Sequence, residues 1–401
     1  MNYENLLASR TSNMKASAIR ELLKLAASPH MISLGGGLPS PDSFPLDLLP
    51  ELTEKVITKY GGAALQYDMT EGFMPLRKAL IDYVAQRGIK TELQNVYITS
   101  GSQGFLDTIA KVLVSEGEYI AVEGPTYLAA LQSFNSYEAK YLQIETDDEG
   151  VIPESLEEVV SKYPVKFVYL IPTFQNPSGK TIQRKRREQI AEIIKKYNVL
   201  LVEDDPYSAL RFRGEELPTI KSLAPEHVVY ASTFSKIFAP GLRVGFFIAP
   251  EKVGRWMVIA KQGIDLHTST YTQALAAEYL LGGYVPSQVG KIIKLYAPKL
   301  ETILSALEEN FPSECKWSKP DGGMFLWVEG PKGVDMEEVY KRAIDKGVGF
   351  VPGKFFYPKV GDGIETMRLN FTNSTHEQLR KAIKILAEAI IEEKEQAVIS
   401  H

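Results

Sequence analysis

Short apolar runs alternate with amphipathic helical patterns along the first two thirds of the chain. Several runs contain no polar position, which is typical of strands covered on both faces. Apolar residues between the runs recur at helical spacing, as at Leu106, Ile109, Ala110 and Leu113. We therefore predict an α/β fold with a mostly parallel, doubly wound sheet, in a large domain over residues 46–285. The runs predicted as strands are Val96–Thr99, Tyr119–Val122, Phe167–Ile171, Val199–Val202, Val228–Ala231 and Val244–Ile248.

The pattern changes after residue 285 and predicts a smaller α+β domain over residues 286–401. A helix from about Val289 to Glu309 is expected to kink or break at Pro298, because proline lacks the backbone donor. Residues 1–45 are predicted to form a helix around Ala16–Ala26 and a glycine-rich loop, Gly35–Pro39, that pack with the small domain. The other elements predicted in the small domain are a hairpin at Asp321–Trp327, a helix at Met336–Lys346, a strand at Met367–Phe371 and a last helix ending near Lys394.

Composition narrows the function classes. The 401 residues carry a net charge of -5, which argues against a nucleic-acid or anionic-membrane partner. The basic run Arg184–Arg187 is interpreted as the solvated first turns of a helix. A single cysteine excludes an internal disulfide and a thiolate metal cluster. No signal peptide pattern or membrane-length apolar run is present, so we expect a soluble cytoplasmic protein with no metal site.

Lys236 is the first candidate for chemistry, with Arg243 seven residues downstream. Its amine can form a Schiff base with an aldehyde. The neighbouring hydroxyls of Thr233 and Ser235, with the Arg243 guanidinium, can bind a phosphate group. A solvated loop lysine is the alternative interpretation, and the rest of the chain has to decide between the two.

Polar or aromatic groups follow four other predicted strands, at the position where open α/β sheets bind ligands. Ser102 lies at a helix start that can bind phosphate through backbone N–H groups, or it simply caps that helix. Asp204 and Tyr207 can contact a pyridine nitrogen and a phenolate oxygen, or they are ordinary turn residues. Asn176 can donate to the same oxygen or only form a turn, and Tyr127 can stack on a ring or lie in the core. Because five strand ends carry groups that suit one ligand, we interpret them as one site.

These segments resemble fold-type I pyridoxal-phosphate aminotransferases of the class I/II group, from about Ala16 to Phe371. Residues 17–24 and 33–39 are similar to the branch that contains α-aminoadipate and kynurenine aminotransferases. The most specific matches are Ser-Gly-Ser-Gln at 100–103, Gln-Asn-Pro-Ser-Gly at 175–179, Glu-Asp-Asp-Pro-Tyr at 203–207, Phe-Ser-Lys at 234–236 with Gly-Leu-Arg-Val-Gly at 241–245, and Met-Arg-Leu at 367–369.

The resemblance implies a role for each matching residue. Lys236 would bind pyridoxal 5'-phosphate and carry the substrate proton, and Arg368 would bind the substrate α-carboxylate. Tyr67 would reach the cofactor phosphate of a neighbouring subunit, which implies a homodimer. The other implied contacts are of the pyridine nitrogen by Asp204, of the phenolate by Tyr207 and Asn176, of the ring face by Tyr127, of the phosphate by Ser102, Gln103, Thr233, Ser235 and Arg243, and of the substrate by Gly36 and Asn176.

The implied reaction is transfer of an amino group from an L-amino acid to 2-oxoglutarate by a ping-pong mechanism. The resemblance implies broad donor specificity, including 2-aminoadipate, glutamate, aromatic and branched-chain amino acids. Arg20 would meet the distal carboxylate of acidic donors, unless it is a solvated helix residue. β-Elimination, decarboxylation and a cofactor-binding regulatory domain stay open as alternatives. About 30 residues before the glycine-rich loop are few for the DNA-binding domain that a regulator would carry.

Overall fold

The computed structural model of the protein describes residues 1, 3–14 and 30–399. The predicted helix at Ala16–Ala26 and its Arg20 lie outside these residues.

A seven-stranded sheet forms the centre of the fold. Its strand order is β2-β10-β9-β8-β7-β3-β4, and only β10 runs antiparallel to its neighbours. The predicted mostly parallel sheet is therefore confirmed. The strands of the described residues are β1 Ile32–Ser33, β2 Val96–Thr99, β3 Tyr119–Glu123, β4 Lys140–Ile144, β5 Thr146–Asp147, β6 Gly150–Val151, β7 Val165–Leu170, β8 Leu201–Asp204, β9 Val228–Thr233, β10 Gly245–Ile248, β11 Lys316–Trp317, β12 Phe325–Glu329, β13 Val348–Gly349, β14 Val351–Pro352 and β15 Thr366–Asn370.

Helices cover both faces of the sheet, because successive strand residues point to opposite sides. Val96 and Ile98 of β2 pack in one apolar cluster, whereas Tyr97 packs in another with Leu106 and Ile109. The α-helices of the described residues are Leu49–Tyr60, Met74–Ala85, Gly101–Leu113, Leu128–Asn135, Pro153–Lys162, Arg184–Tyr197, Ile220–Leu223, Glu251–Asp265, Thr270–Leu281, Val285–Asn310, Met336–Asp345 and His376–Ile399.

A second, antiparallel sheet with the order β11-β12-β15-β14 lies in the C-terminal part of the chain. The short strand β1 pairs in parallel with β13, so the segment after residue 30 joins this part of the molecule. The Leu34 N–H and carbonyl extend the contact to Gly349 and Asn370. The glycine-rich loop that follows β1 is thereby fixed above the ends of the large sheet.

Two sequence interpretations hold only in part. The helix Val285–Asn310 continues through Pro298, so a break does not occur there. Pro298 and Lys294, whose carbonyl loses its helical donor, both lie on the exposed face, where water can hydrate that carbonyl. Arg187 is not solvated but 1% exposed, because its guanidinium donates to the carbonyls of Ile182, Pro218 and Pro172 and to the Thr173 hydroxyl.

Candidate active site

The predicted site residues come together at the carboxyl ends of the parallel strands β2, β3, β7, β8 and β9. They line a cavity of about 300 Å³, a size in the range of small-molecule sites. The predicted residues that line it are Ser102, Gln103, Tyr127, Asn176, Asp204, Tyr207, Thr233, Ser235, Lys236, Arg243 and Arg368. A larger groove of about 500 Å³, around Lys316 and Trp317, contains none of them.

Lys236 follows β9 and projects its amine into this cavity. Its Nζ donates to the carbonyl of Gly37 at 3.0 Å, so the glycine-rich loop closes over the amine. Burial, together with the nearby cations Arg368 and Arg243, lowers the pKa of Lys236 to about 8. A substantial neutral fraction therefore exists near neutral pH, and a neutral amine can act as nucleophile or base.

Asp204 is the last residue of β8 and is buried, and one of its carboxylate oxygens accepts a hydrogen bond from the neighbouring strand β7. The Tyr169 hydroxyl donates to Asp204 Oδ2 at 2.7 Å, whereas Asp204 Oδ1 has no hydrogen-bond partner among the described residues. Burial raises the pKa of Asp204 to about 7, against the lowering effect of the Tyr169 hydrogen bond. Sequence reasoning missed Tyr169, because it lies inside the apolar run of β7.

Arg368 on β15 brings a guanidinium from the antiparallel sheet to the cavity. Arg368 Nη1 donates to Asn176 Oδ1 at 2.8 Å and Nη2 to the Gly35 carbonyl at 2.6 Å. The guanidinium carbon lies 4.4 Å from the ring centroid of Phe325 and 4.9 Å from that of Phe356. Burial lowers the pKa of Arg368 to about 10, and the side chain remains a cation at neutral pH. Two rings and two hydrogen bonds thus fix a cation that can receive a carboxylate.

Asn176, Tyr207 and Tyr127 line the cavity between these charged groups. Asn176 Nδ2 donates to the Tyr207 hydroxyl at 3.3 Å, so one amide connects Tyr207 with Arg368. Burial raises the pKa of Tyr207, whose phenol therefore stays protonated and able to donate. Tyr127 is half-buried directly before the helix Leu128–Asn135, where it lines the cavity and also packs against the apolar core.

The opposite end of the cavity gathers donors suited to an anion. The helix Gly101–Leu113 begins here, with Ser102 and Gln103 in its first turn. Thr233 and Ser235 lie 2.9 Å apart through their hydroxyls, opposite this helix start. Arg243 is exposed and donates through Nη2 to the carbonyl of Ser100 at 3.3 Å.

Gly101 makes this close approach of Arg243 possible. It has φ +75°, and an added Cβ would lie 2.4 Å from Arg243 Nη2. Ser102 does not cap the helix with its side chain: it lies inside the helix, and its Oγ is buried without a partner among the described residues.

The unpartnered atoms test which group fits the cavity. Asp204 Oδ1 needs a donor or cation, which a protonated pyridine nitrogen supplies. Ser102 Oγ and the exposed Arg243 need an acceptor, which a phosphate supplies at a helix start. Arg368 Nε also lacks a partner among the described residues, as expected of a site that awaits a carboxylate. The arrangement fits pyridoxal phosphate with an amino acid beside it.

Two predicted site residues, Tyr67 and Gly36, do not line this cavity. Tyr67 is 78% exposed, and its ring packs edge-on against His267 at 5.8 Å, outside this cavity. Gly36 is buried in the loop, whose contacts with the site run through the carbonyls of Gly35 and Gly37. Arg20 lies outside the described residues.

Comparison with known proteins decides the family. Residues 29–386 match the model for "Aminotransferase class I and II". The chain belongs to the class I and II aminotransferases. This aminotransferase is 45% identical over 400 residues to "Aromatic-amino-acid aminotransferase 1" of Thermococcus litoralis, covering 98% of this chain and 96% of that one. It is 36% identical to "2-aminoadipate transaminase" of Thermus thermophilus, covering 97% and 98%.

A solved structure supports the same placement. The kynurenine aminotransferase of Pyrococcus horikoshii, in complex with PMP, is 44% identical and superimposes with a TM-score of 0.94 over 98% of each chain. The aminotransferase is therefore a pyridoxal-phosphate-dependent enzyme of fold type I. No helix within residues 1, 3–14 and 30–399 is long and apolar enough to cross a bilayer. No cluster of metal-ligating side chains occurs in that part of the chain.

Proposed function

We propose that this aminotransferase moves the amino group of an L-amino acid to 2-oxoglutarate in two half-reactions of a ping-pong cycle. The observation that carries the proposal is the position of Arg368. Its guanidinium is fixed by Asn176 and two aromatic rings in the same cavity as Lys236 and Asp204. A substrate α-carboxylate bound there would bring its Cα toward the Lys236 amine, whose pKa the Arg368 charge already lowers.

Residues at both ends of the cavity would bind the cofactor. Ser102, Gln103, Thr233, Ser235 and Arg243 would hold the phosphate, with the helix start adding its positive dipole end.

Between these ends, Tyr127 would stack on the ring, and Asn176 and Tyr207 would donate to the ring oxygen. Asp204 would keep a proton on the pyridine nitrogen by pairing with it as a carboxylate.

Proton transfer falls to Lys236. When bound, pyridoxal phosphate supplies the aldehyde that takes up the amino group and a ring that accepts the charge left by proton loss. The Lys236 amine would take the proton from the substrate Cα and deliver it to carbon C4′ of the cofactor, since its pKa of about 8 suits both uptake and release. Arg368 would hold the carboxylate throughout, which disfavours decarboxylation. Amino transfer, unlike β-elimination, needs no leaving group at Cβ.

The donor range is proposed to include 2-aminoadipate, glutamate, aromatic and branched-chain amino acids. The names of the relatives, an aromatic-amino-acid aminotransferase and a 2-aminoadipate transaminase, support this breadth. Arg20 would meet the distal carboxylate of acidic donors. Gly36 would add a backbone N–H to the substrate carboxylate, next to the Gly35 carbonyl that already contacts Arg368.

A homodimer is proposed because the phosphate end of the cavity is open in one chain. Arg243 and Gln103 are exposed there, and Ile264 borders the same opening. Apolar side chains on nearby segments are exposed too, including Leu65, Tyr67, Ile264 and Leu266. A second copy would cover this patch and place its Tyr67 at the phosphate. Such a contact would account for the exposure of Tyr67 in a single chain.

The division into residues 1–45, 46–285 and 286–401 is part of the proposal, and the β1–β13 pairing supports packing of the first segment with the last. We also propose a cytoplasmic location, because the one cysteine, Cys315, is a buried free thiol that suits a reducing compartment.

The proposal is tested with the holoenzyme and a panel of amino donors, read through cofactor absorbance in single half-reactions. Wild type should convert donors to 2-oxo acids and form glutamate from 2-oxoglutarate, whereas Lys236→Ala should lose turnover with every donor. Undiminished turnover of Lys236→Ala would sink the assignment of the base. In the same panel, Arg20→Ala should raise KM for acidic donors far more than for leucine, and equal effects would contradict its role.

A further inference from the structure

A buried ion pair lies directly behind the candidate active site. Arg87 Nη2 contacts Asp205 Oδ2 at 3.2 Å, and neither side chain is exposed beyond 18%. The Tyr230 hydroxyl donates to the same oxygen at 2.7 Å. Arg87 follows the helix Met74–Ala85 and belongs to none of the segments that identify the family. Asp205 is buried and Arg87 is largely buried, so leaving either charge without its partner would be costly.

Asp205 fixes the turn that presents Tyr207. Its carboxylate accepts the Ser208 hydroxyl at 2.8 Å and the Ser208 N–H at 3.3 Å, which closes a turn around Pro206 and Tyr207. Its backbone N–H donates to the Ala231 carbonyl at 2.8 Å. The Asp205 carbonyl accepts the Ser232 hydroxyl at 2.7 Å. Asp205 thus joins the turn of Tyr207 to strand β9, which leads to Lys236.

Asp205 also places a negative charge one residue from Asp204. After burial and the Tyr169 hydrogen bond, the charge of Asp205 is a further influence on Asp204, and it raises the pKa of that carboxyl. Arg87 offsets this charge at 3.2 Å. The other ionisable groups that interact with the pair are Tyr83, Glu216, Tyr230, Glu203, Arg187 and Arg211. Arg87 is the cation in direct contact with Asp205 within the described residues.

We propose that Arg87 is a positioning residue for amino transfer: its ion pair with Asp205 fixes the turn that carries Tyr207 and offsets the negative charge beside Asp204. The inference rests on the proposed roles of Asp204 and Tyr207. Arg87 itself touches neither the cavity nor the reacting atoms. It acts through Asp205 on the two residues that face the ring.

The test compares Arg87→Met, Arg87→Lys, Asp205→Asn and the Arg87→Met/Asp205→Asn double variant as holoenzymes. The measurement is the pH dependence of kcat/KM for the donor half-reaction, together with the thermal midpoint. Arg87→Met should move the acid limb upward by roughly one pH unit, because an unpaired anion beside Asp204 favours its protonated form. Arg87→Lys should stay close to wild type, and the double variant should return the limb toward wild type because the pair is again neutral.

Arg342→Met is the matched control, because Arg342 makes a partly buried ion pair with Glu393 at 2.9 Å far from the cavity. It should lower the thermal midpoint and leave the pH profile unchanged. If Arg87→Met behaves like this control, Arg87 is merely structural and the proposal is overturned.

If Arg87→Met does not fold, Asp205→Asn decides. The acid limb should then move downward, since the like charge beside Asp204 is gone, and an unmoved limb overturns the proposal. A Tyr207→Phe variant with wild-type rates would remove the proposed role of Tyr207 and leave the charge effect on Asp204 standing. Failure of the proposed role of Tyr207 can therefore be distinguished from failure of the proposed charge effect on Asp204.

Discussion

Tyr169→Phe removes the only hydrogen bond that the Asp204 carboxylate receives from the described residues. This hydrogen bond joins the Tyr169 hydroxyl oxygen to Asp204 Oδ2, and the two atoms are buried and 2.7 Å apart. Asp204 Oδ1 has no partner in this part of the chain, so nothing in the protein replaces the missing donor. Because this hydrogen bond lowers the pKa of Asp204, its removal must raise that pKa.

The size of the effect follows from the strength of a hydrogen bond to a charged group. Such a bond contributes about 1.5–3 kcal/mol, which corresponds to roughly one to two pKa units. The pKa of Asp204 is already about 7. In the protein without cofactor, the ionised fraction at pH 7 should therefore fall from about one half to between about one in ten and one in a hundred. The pyridine nitrogen proposed to pair with Asp204 favours the carboxylate, so about 5- to 50-fold is the largest expected fall in kcat/KM.

The assay is the donor half-reaction of the holoenzyme, followed by cofactor absorbance from pH 6 to 9. The defect of Tyr169→Phe should shrink as pH rises, because Asp204 then ionises in both enzymes. Tyr141→Phe is the matched control, since the Tyr141 hydroxyl donates to Asn135 Oδ1 at 2.6 Å without facing the cavity. A defect of the same size at pH 7 and pH 9 would refute the reasoning.

Two further predictions concern cofactor binding. Gly101→Ala should weaken binding of pyridoxal phosphate by about tenfold or more, because its Cβ would displace the Arg243 guanidinium and φ +75° disfavours alanine. An absorbance titration of the apoenzyme measures this. Gly104→Ala, whose Cβ would meet nothing closer than 3.8 Å, is the control, and equal affinities of both variants contradict the prediction. The rate at which apoenzyme takes up pyridoxal phosphate should rise with pH, reach half its maximum near pH 8 and level off roughly one pH unit higher, as the Lys236 amine loses its proton. A rate that still rises steeply at pH 10 would show that the pKa of Lys236 is that of an ordinary lysine, and would contradict the prediction.

The sequence located the site where polar residues directly follow apolar strands. Asn176, Asp204 and Lys236 each stand out against the run before them, so pattern and chemistry point to the same position. The parallel order of the strands then brings these residues to one edge. The identity of the cofactor follows from the resemblance of these segments to class I/II aminotransferases, whereas the residue types alone predict groups that suit a phosphate and an aromatic ring.

Residues that act from within regular elements could not be found in this way. Tyr169 is one residue of a buried strand, and only the pairing of β7 with β8 brings its hydroxyl to Asp204. The charge of Arg187 predicts a solvated side chain, but in the folded chain backbone carbonyls from three separate segments surround it. The Gly35 and Gly37 carbonyls leave no trace in side-chain patterns. In each case the decisive partner is distant in sequence and depends on tertiary packing.

The contact between the Gly35 carbonyl and Arg368 joins residues 333 positions apart. During synthesis, the residues proposed to hold the phosphate and ring are complete once Arg243 has been made, about 125 residues before Arg368. At typical elongation rates of about 5–20 residues per second, that interval lasts roughly 6–25 s. The residues proposed to bind the cofactor are therefore made before the guanidinium proposed to bind the substrate.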